Sequence, residues 1–97
     1  MKYKIVYLPI AIRDIIRIDD ALLVYPSKAK RIFHELDSKV ADLGEMPYMW
    51  LVYQANTEYR RMILEDHLLF YKVDEDEHKV KIFRILYGKM NIPEYLE

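Results

Sequence analysis

The feature that most constrains the fold is an apolar stripe at helical spacing that follows Ser27. Its members recur every three or four residues and are Ala29, Ile32, Phe33, Leu36, Val40 and Leu43. This period predicts an amphipathic helix with one buried face. Ser27 is its expected N-cap, and Gly44 is expected to end it as a left-handed C-terminal cap shortly before Pro47.

The residues before this helix predict a strand and a second helix. Over Lys2–Tyr7 apolar and charged residues alternate, which indicates a half-buried strand. Pro9 ends that strand and suits the first turn of a helix. In this helix Asp19 is the one polar interruption of a stripe formed by Ile12, Ile15, Ile16, Leu22 and Leu23. We expect the helix to stop near Tyr25–Pro26 and to pack against the following helix as a hairpin.

Strand-forming residues dominate the second half, after a less regular connection over residues 47–57. They fall in three runs, Glu58–Leu64, His67–Val73 and Val80–Tyr87, separated by short acidic turns. Consecutive antiparallel pairing is the economical topology for such runs. The sequence therefore predicts an α+β fold with an N-terminal strand, a helical hairpin and a curved antiparallel sheet of three or more strands. We expect a single domain over residues 1–97.

Composition narrows the class of protein. The chain has 97 residues, no cysteine and a net charge of -1. The absence of cysteine fits a reducing compartment, and no apolar stretch approaches the roughly 20 residues of a membrane-spanning helix. We therefore expect a cytoplasmic protein without a membrane partner. The near-neutral charge argues against a surface devoted wholly to nucleic acid, although a local basic face is compatible with it.

Three stretches of the second half together resemble a known family. They are Tyr59–Met62, His67–Asp74 and Val80–Lys89, the last of which ends Arg-Ile-Leu-Tyr-Gly-Lys. With the N-terminal strand and the helical hairpin, their order and spacing resemble the RelE/ParE toxins over essentially the whole chain. The resemblance implies the toxin of a type II toxin–antitoxin system, linked with plasmid stabilisation and growth inhibition. Its partner would be a cognate antitoxin, in a hetero-oligomer.

Two activities occur among the toxins that the chain resembles. RelE-like members cleave messenger RNA on the ribosome without a metal, and ParE-like members inhibit DNA gyrase. RNA cleavage needs cations for the phosphate and groups that move protons. Proton transfer could fall to Glu58, Glu65 or His67, and Tyr95 could stack on a base. The candidate catalytic residues are Arg60, Arg61, Arg84 and Tyr87.

A similar set is expected to bind the cellular target: Arg61, Arg84, Tyr87 and Lys89. Arg60 and Arg61 are adjacent on a strand and should therefore point to opposite faces. Arg84 lies among apolar residues, so a structural pairing with an acidic side chain is an equal alternative to a functional role.

One departure from the family pattern favours binding over catalysis. Ribonuclease members carry an arginine directly after the residue that opens the penultimate strand, and this chain has Leu68 there. A leucine cannot neutralise a phosphate. The isoelectric point of about 6.3 also contrasts with the basic ribosome-dependent toxins. We therefore favour a ParE-like toxin that is not an enzyme and inhibits DNA gyrase. The alternatives are a ribosome-dependent mRNA interferase and a non-toxic binding remnant.

The antitoxin contact is expected at exposed aromatic residues of the irregular connection, Tyr48 and Trp50, and along the helical hairpin. We expect no cofactor. The three histidines, His34, His67 and His78, lack the spacing of metal ligands, so we expect no metal either.

Overall fold

A computed structural model describes residues 2–96, so the two ends of the predicted domain, Met1 and Glu97, lie outside the described residues. The elements follow the predicted order of strand, two helices and three strands. They are β1 (Lys4–Tyr7), α1 (Pro9–Ala21), α2 (Pro26–Glu45), β2 (Arg60–Leu64), β3 (His67–Asp74), β4 (Lys79–Tyr87) and a 3₁₀ turn (Ile92–Tyr95). The predicted α+β class is confirmed.

The four strands form one sheet in the order β1-β4-β3-β2. The pairs β2–β3 and β3–β4 are antiparallel, as predicted for consecutive strands. β1 pairs in parallel with β4, with Lys4 opposite Lys79 and Tyr7 opposite Ile82. β4 is therefore a central strand, in agreement with the apolar residues on both of its faces. Because β1 has only four residues, it covers only the first half of the β4 edge.

Two apolar clusters hold the sheet. The larger joins both helices to one face of the sheet through buried residues such as Ile32, Leu43 and Tyr71. The smaller cluster contains no residue of α1 or α2 and packs the C-terminal residues on the strands; its buried members are Tyr59, Phe70, Leu86, Ile92 and Leu96. The C-terminal turn therefore occupies part of the sheet face that the helices leave open.

The buried face of α1 differs from the predicted one. The buried positions are Ala11, Asp14, Ile18 and the following Leu22, whereas Ile12 and Ile16 are exposed. Asp19, predicted to interrupt the buried stripe, lies on the exposed side. Leu22 and the partly buried Ile15 confirm part of the predicted stripe, which was wrong in including Ile12, Ile16 and Leu23, on the side that the sheet does not cover.

The end of α1 and the start of α2 also differ from the prediction. α1 ends at Ala21, about one turn before the predicted stop near Tyr25–Pro26. α2 begins at Pro26, so Tyr25 is the N-cap residue, without a side-chain hydrogen bond, and Ser27 lies in the first turn. A proline at the first helical position fits because its missing N–H would have no helical acceptor there.

Gly44 is not a left-handed cap. Both described glycines lack a positive φ, and α2 continues through Gly44 to Glu45. The Gly44 carbonyl accepts a hydrogen bond of 2.8 Å from the Tyr3 N–H. A Cβ at this position would lie 3.4 Å from the Tyr3 carbonyl oxygen. The glycine therefore lies where the backbone before β1 approaches α2 closely.

The antiparallel ladder between β3 and β4 contains a bulge. Phe70 lies opposite Arg84 and Tyr71 opposite Ile82, so Phe83 is the extra residue. A bulge bends the strand and changes the direction of the side chains that follow it. It lies directly before Arg84, the residue around which the site described below is built.

Candidate functional site

Arg84 and Asp14 form a buried, two-pronged ion pair between β4 and α1. The Arg84 Nε donates to Asp14 Oδ2 over 2.8 Å, and Nη2 donates to Oδ1 over 3.0 Å. The Asp14 side chain is fully buried and that of Arg84 is 11% exposed. The remaining Arg84 donor, Nη1, reaches the Tyr95 carbonyl at 3.1 Å. Each of the three guanidinium nitrogens therefore has an acceptor within the protein.

Asp14 also completes the edge of the sheet. β1 ends at Tyr7, opposite Ile82, so beyond that point the β4 edge has no neighbouring strand. The Ile85 N–H donates to Asp14 Oδ2 at 2.9 Å instead. The carboxylate thus acts as the acceptor that a longer β1 would have provided, and it satisfies a backbone donor that would be costly to bury alone.

Of the two roles expected for Arg84, the pairing with an acidic side chain is present in the structure. Its assignment to the catalytic or target-binding set stays a prediction. Sequence reasoning did not select Asp14, although a signal for it existed. A lone carboxylate spaced three and four residues from the apolar Ala11 and Ile18 requires a partner if that stripe is buried.

Arg60 is engaged with the irregular connection before β2. Its Nη1 donates to the Trp50 carbonyl at 2.7 Å, and its guanidinium lies 4.9 Å from the centre of the Tyr48 ring. The structure thereby brings one predicted catalytic residue together with the two residues predicted for the antitoxin contact. Arg61 lies opposite Phe70 in the ladder and is half-buried, and its side chain has no ion pair within residues 2–96.

Tyr48 also belongs to a polar cluster at the β3–β4 turn. The hydroxyls of Tyr3 and Tyr48 both donate to Glu75 Oε1, over 2.6 and 2.7 Å. Two donors favour the charged carboxylate, so they lower the pKa of Glu75. The same hydrogen bond raises the pKa of Tyr3 to about 12, because ionisation would remove the donated proton. The cluster ties β1 and the irregular connection to this turn.

The end of β4 meets the turn between β2 and β3. The His67 and Tyr87 rings contact each other edge to face, with their centres 5.6 Å apart. His67 Nδ1 lies 2.8 Å from Asp66 Oδ1, and Lys28 donates to Asp66 Oδ2 over 2.6 Å. Burial opposes ionisation of Asp66, but the hydrogen bonds from Lys28 and His67 outweigh it and lower the pKa of this carboxyl.

Gly88 allows the end of β4 to lie close to the turn between β2 and β3. Its N–H donates to the Asp66 carbonyl at 2.8 Å, and a Cβ in its place would lie only 3.1 Å from that oxygen. Lys89 follows on the surface and has no ion pair among the residues that the structure describes.

A cavity of about 330 Å³ opens between this end of the sheet and the tip of the helical hairpin, and we call it the β4-end pocket. Its lining residues come from α1, α2, β3, β4 and the turns around them. They are Arg17, Ile18, Ala21, Leu22, Lys28, Asp66, His67, Ile85, Leu86, Tyr87 and Met90. Sequence reasoning had selected His67 and Tyr87 but not Arg17 or Lys28, since these two have no local pattern that distinguishes them from solvated surface charges.

Over residues 2–96, no group of three or more histidine or acidic side chains could hold a metal ion. In the same part of the chain, no helix has both the length and the apolar character needed to cross a membrane.

The fold is that of the RelE toxins. Isolated RelE of E. coli aligns over 95% of this chain and 92% of its own, with a TM-score of 0.66 and 11% identity. The intact E. coli RelBE toxin–antitoxin complex aligns over 91% and 99%, with a TM-score of 0.65 and 12% identity. The RelBE2 complex of Mycobacterium tuberculosis covers 90% and 99%, with a TM-score of 0.61 and 17% identity. No curated protein matches the chain.

The family follows from the sequence itself. The model of the ParE toxins of type II toxin–antitoxin systems matches residues 5–92, nearly the whole chain. The chain therefore belongs to the ParE toxin family, and the predicted membership of the RelE/ParE superfamily is confirmed.

Proposed function

We propose that the protein is a ParE-like toxin that arrests growth in the cytoplasm by binding an essential protein, DNA gyrase by resemblance, and that a cognate antitoxin neutralises it. The observation that carries the proposal is that other groups of the protein bind the side chains of Arg84 and Arg60. Arg84 is bound by Asp14 and the Tyr95 carbonyl, and Arg60 by the carbonyls of the irregular connection. The protein therefore already uses all three nitrogens of the Arg84 guanidinium and the Nη1 of Arg60, which leaves little of this charge for a scissile phosphate.

Leu68 supports the same conclusion. It occupies the position at which the ribonuclease members carry an arginine, and it is partly buried against the cluster around Phe70 and Leu86. The surface beside it is therefore apolar, which suits contact with a protein better than contact with a phosphodiester.

One alternative is a ribosome-dependent endoribonuclease, the activity of the RelE-like members that the chain resembles. Such an enzyme would have to use Arg61, Lys89 and Tyr87, the predicted residues that remain accessible at the surface. Tyr87 is 38% exposed and could stack on a base.

The antitoxin contact is proposed on the helical hairpin and the irregular connection. α1 and the turn after it expose a row of large apolar side chains: Ile12, Ile16, Leu23, Val24 and Tyr25. Tyr48 and Met49 are also exposed, whereas Trp50, which was expected to be exposed, is half-buried against the larger apolar cluster. Contiguous exposed apolar surface marks protein interaction sites. The solved RelBE structures contain toxins bound to antitoxins, which supports a partner of this kind.

The test is inducible expression in a growing bacterium, with primer extension on a ribosome-bound transcript and plasmid-supercoiling assays on the same cells. Growth arrest with altered supercoiling and intact messenger is the expected result. Codon-phased cuts would instead establish the endoribonuclease. A chain that is expressed intact but leaves growth unchanged would contradict both and favour a non-toxic remnant. Leu68→Arg serves as a comparison, since it restores the arginine of the ribonuclease members.

A further inference from the structure

The β4-end pocket has an apolar interior. Ile18 of α1 and the following Leu22 line one side, and Ile85, Leu86 and Met90 line the opposite side. Its volume of about 330 Å³ lies at the lower end of the range of ligand pockets, roughly 300–1,000 Å³. The pocket therefore suits a small apolar group such as one large side chain.

The rim of the pocket carries an uncompensated positive charge. Arg17 Nη1 lies 3.2 Å from Asp14 Oδ1, while the same carboxylate already binds Arg84. One carboxylate thus faces two guanidiniums, and the Arg17 side chain is 59% exposed. The other charged residues that line the pocket, Lys28 and Asp66, neutralise each other, with Lys28 Nζ 2.6 Å from Asp66 Oδ2. A group that carries a carboxylate beside its apolar part complements this arrangement.

We propose that the β4-end pocket binds an acidic extended segment of the protein that this toxin inhibits, with one large apolar side chain in the cavity and a neighbouring carboxylate on Arg17. The inference rests on the proposed function, because it assigns the segment to the target. Tyr87, predicted to bind the target, lines the pocket, and Lys89 follows it. The residues predicted for the antitoxin, Tyr48 and Trp50, are not among the lining residues.

Two variants separate the apolar and the charged contributions. Ala21 lies at the exposed end of α1 and lines the pocket, so Ala21→Trp fills the cavity without removing a core contact. Ala41→Trp, at an exposed position of α2 outside the pocket, is the matched control. Arg17→Gln removes the rim charge, and Arg13→Gln on the same helix is its control.

The probe for binding is acetyl-Gly-Glu-Phe-Glu-Gly-amide, added to the ¹⁵N-labelled full chain. We expect shifts in the amide signals of Ile85, Leu86 and Met90. Ala21→Trp should weaken binding about tenfold or more, because the cavity is filled, and Arg17→Gln about two- to fivefold. The two control variants should bind like the wild type. Equal binding of a peptide with lysine in place of glutamate, or the same shifts with a uridine hexanucleotide, would overturn the proposal.

Growth assays distinguish the pocket from the toxin function. If the wild type arrests growth, Ala21→Trp should abolish the arrest and Ala41→Trp should not. Arrest by Ala21→Trp at the wild-type level refutes the pocket and leaves the proposed function intact. A wild type that binds the peptide but does not arrest growth contradicts the proposed function and retains the pocket as a binding site. If Ala21→Trp arrests growth fully and the antitoxin no longer relieves that arrest, the pocket binds the antitoxin and the proposal is refuted.

Discussion

At the scale of single residues, Asp14 has more partners than any other described carboxylate of the site. It accepts hydrogen bonds from Arg84 and from the Ile85 N–H, and Arg17 lies within ion-pair distance. A buried charge is tolerated only when it is paired and hydrogen-bonded. Asp14 therefore links the α1 helix, the open edge of β4 and the rim of the β4-end pocket.

Asp14→Asn should destabilise the protein strongly. The amide keeps the shape of the side chain but leaves the largely buried Arg84 without a counter-charge, which typically costs about 3–5 kcal/mol. Urea unfolding followed by circular dichroism measures the loss as a lower midpoint. Asp19→Asn, on the exposed side of the same helix, is the control and should unfold at the wild-type midpoint. Equal midpoints for the two variants would show that the pair contributes no net stability.

Tyr3→Phe should make the melting temperature less sensitive to pH. The raised pKa of Tyr3, about 12 against an ordinary 10.0, gives stability that is fully present below pH 10 and lost as the pH rises towards 12. The lowered pKa of Glu75 gives stability present above its ordinary 4.5 and lost at lower pH. The variant removes the hydrogen bond between Tyr3 and Glu75. The melting temperature should therefore change less with pH at both the acidic and the alkaline end.

The measurement is the melting temperature from pH 3 to pH 12, with Tyr25→Phe as the control. Tyr25 is 62% exposed and has no side-chain hydrogen bond among those of the described residues. Parallel curves for wild type and Tyr3→Phe would contradict the role assigned to the cluster around Glu75.

At the scale of helices and strands, the two glycines should respond oppositely to alanine. Gly44 is helical and a Cβ there would make an ordinary contact at 3.4 Å, so Gly44→Ala should stabilise by roughly 0.5–1 kcal/mol. Gly88→Ala would place a Cβ 3.1 Å from the Asp66 carbonyl oxygen and should destabilise by about 1–3 kcal/mol. Chemical unfolding measures the free energy of unfolding of both variants. A change of the same sign in Gly44→Ala and Gly88→Ala would refute this account.

The elements themselves were largely predictable, because periods of two and of three to four residues mark strands and helices locally. The three C-terminal strands were assigned within a few residues. What the local pattern lacked was contact between distant residues. It could not indicate that β1 lies beside β4, or that the side of α1 that contains Asp14 is the buried one. The Asp14–Arg84 pair spans 70 residues and bridges two elements, so only the tertiary structure reveals it.

At the scale of the whole molecule, the exposed row on α1 should matter for association and not for folding. Ile12→Glu with Ile16→Glu changes two exposed residues, so the free energy of unfolding should stay within about 0.5 kcal/mol per site. Co-purification with the antitoxin should be lost. Lys30→Glu changes the charge by the same two units at an exposed position of α2 and should still co-purify. If the double variant still binds the antitoxin, the antitoxin contacts another surface of the protein.

The central position of β4 has a consequence for biosynthesis. Translation produces β1, both helices, β2 and β3 before Lys79 is added, yet β4 separates β1 from β3 in the sheet. A nascent chain that stops before Lys79 can pair only β2 with β3, while β1 has no neighbouring strand and Asp14 lacks Arg84. The sheet, and with it the β4-end pocket, can form only after Tyr87 has left the ribosome. A chain that is truncated before Lys79 therefore lacks the strand that joins β1 to the rest of the sheet.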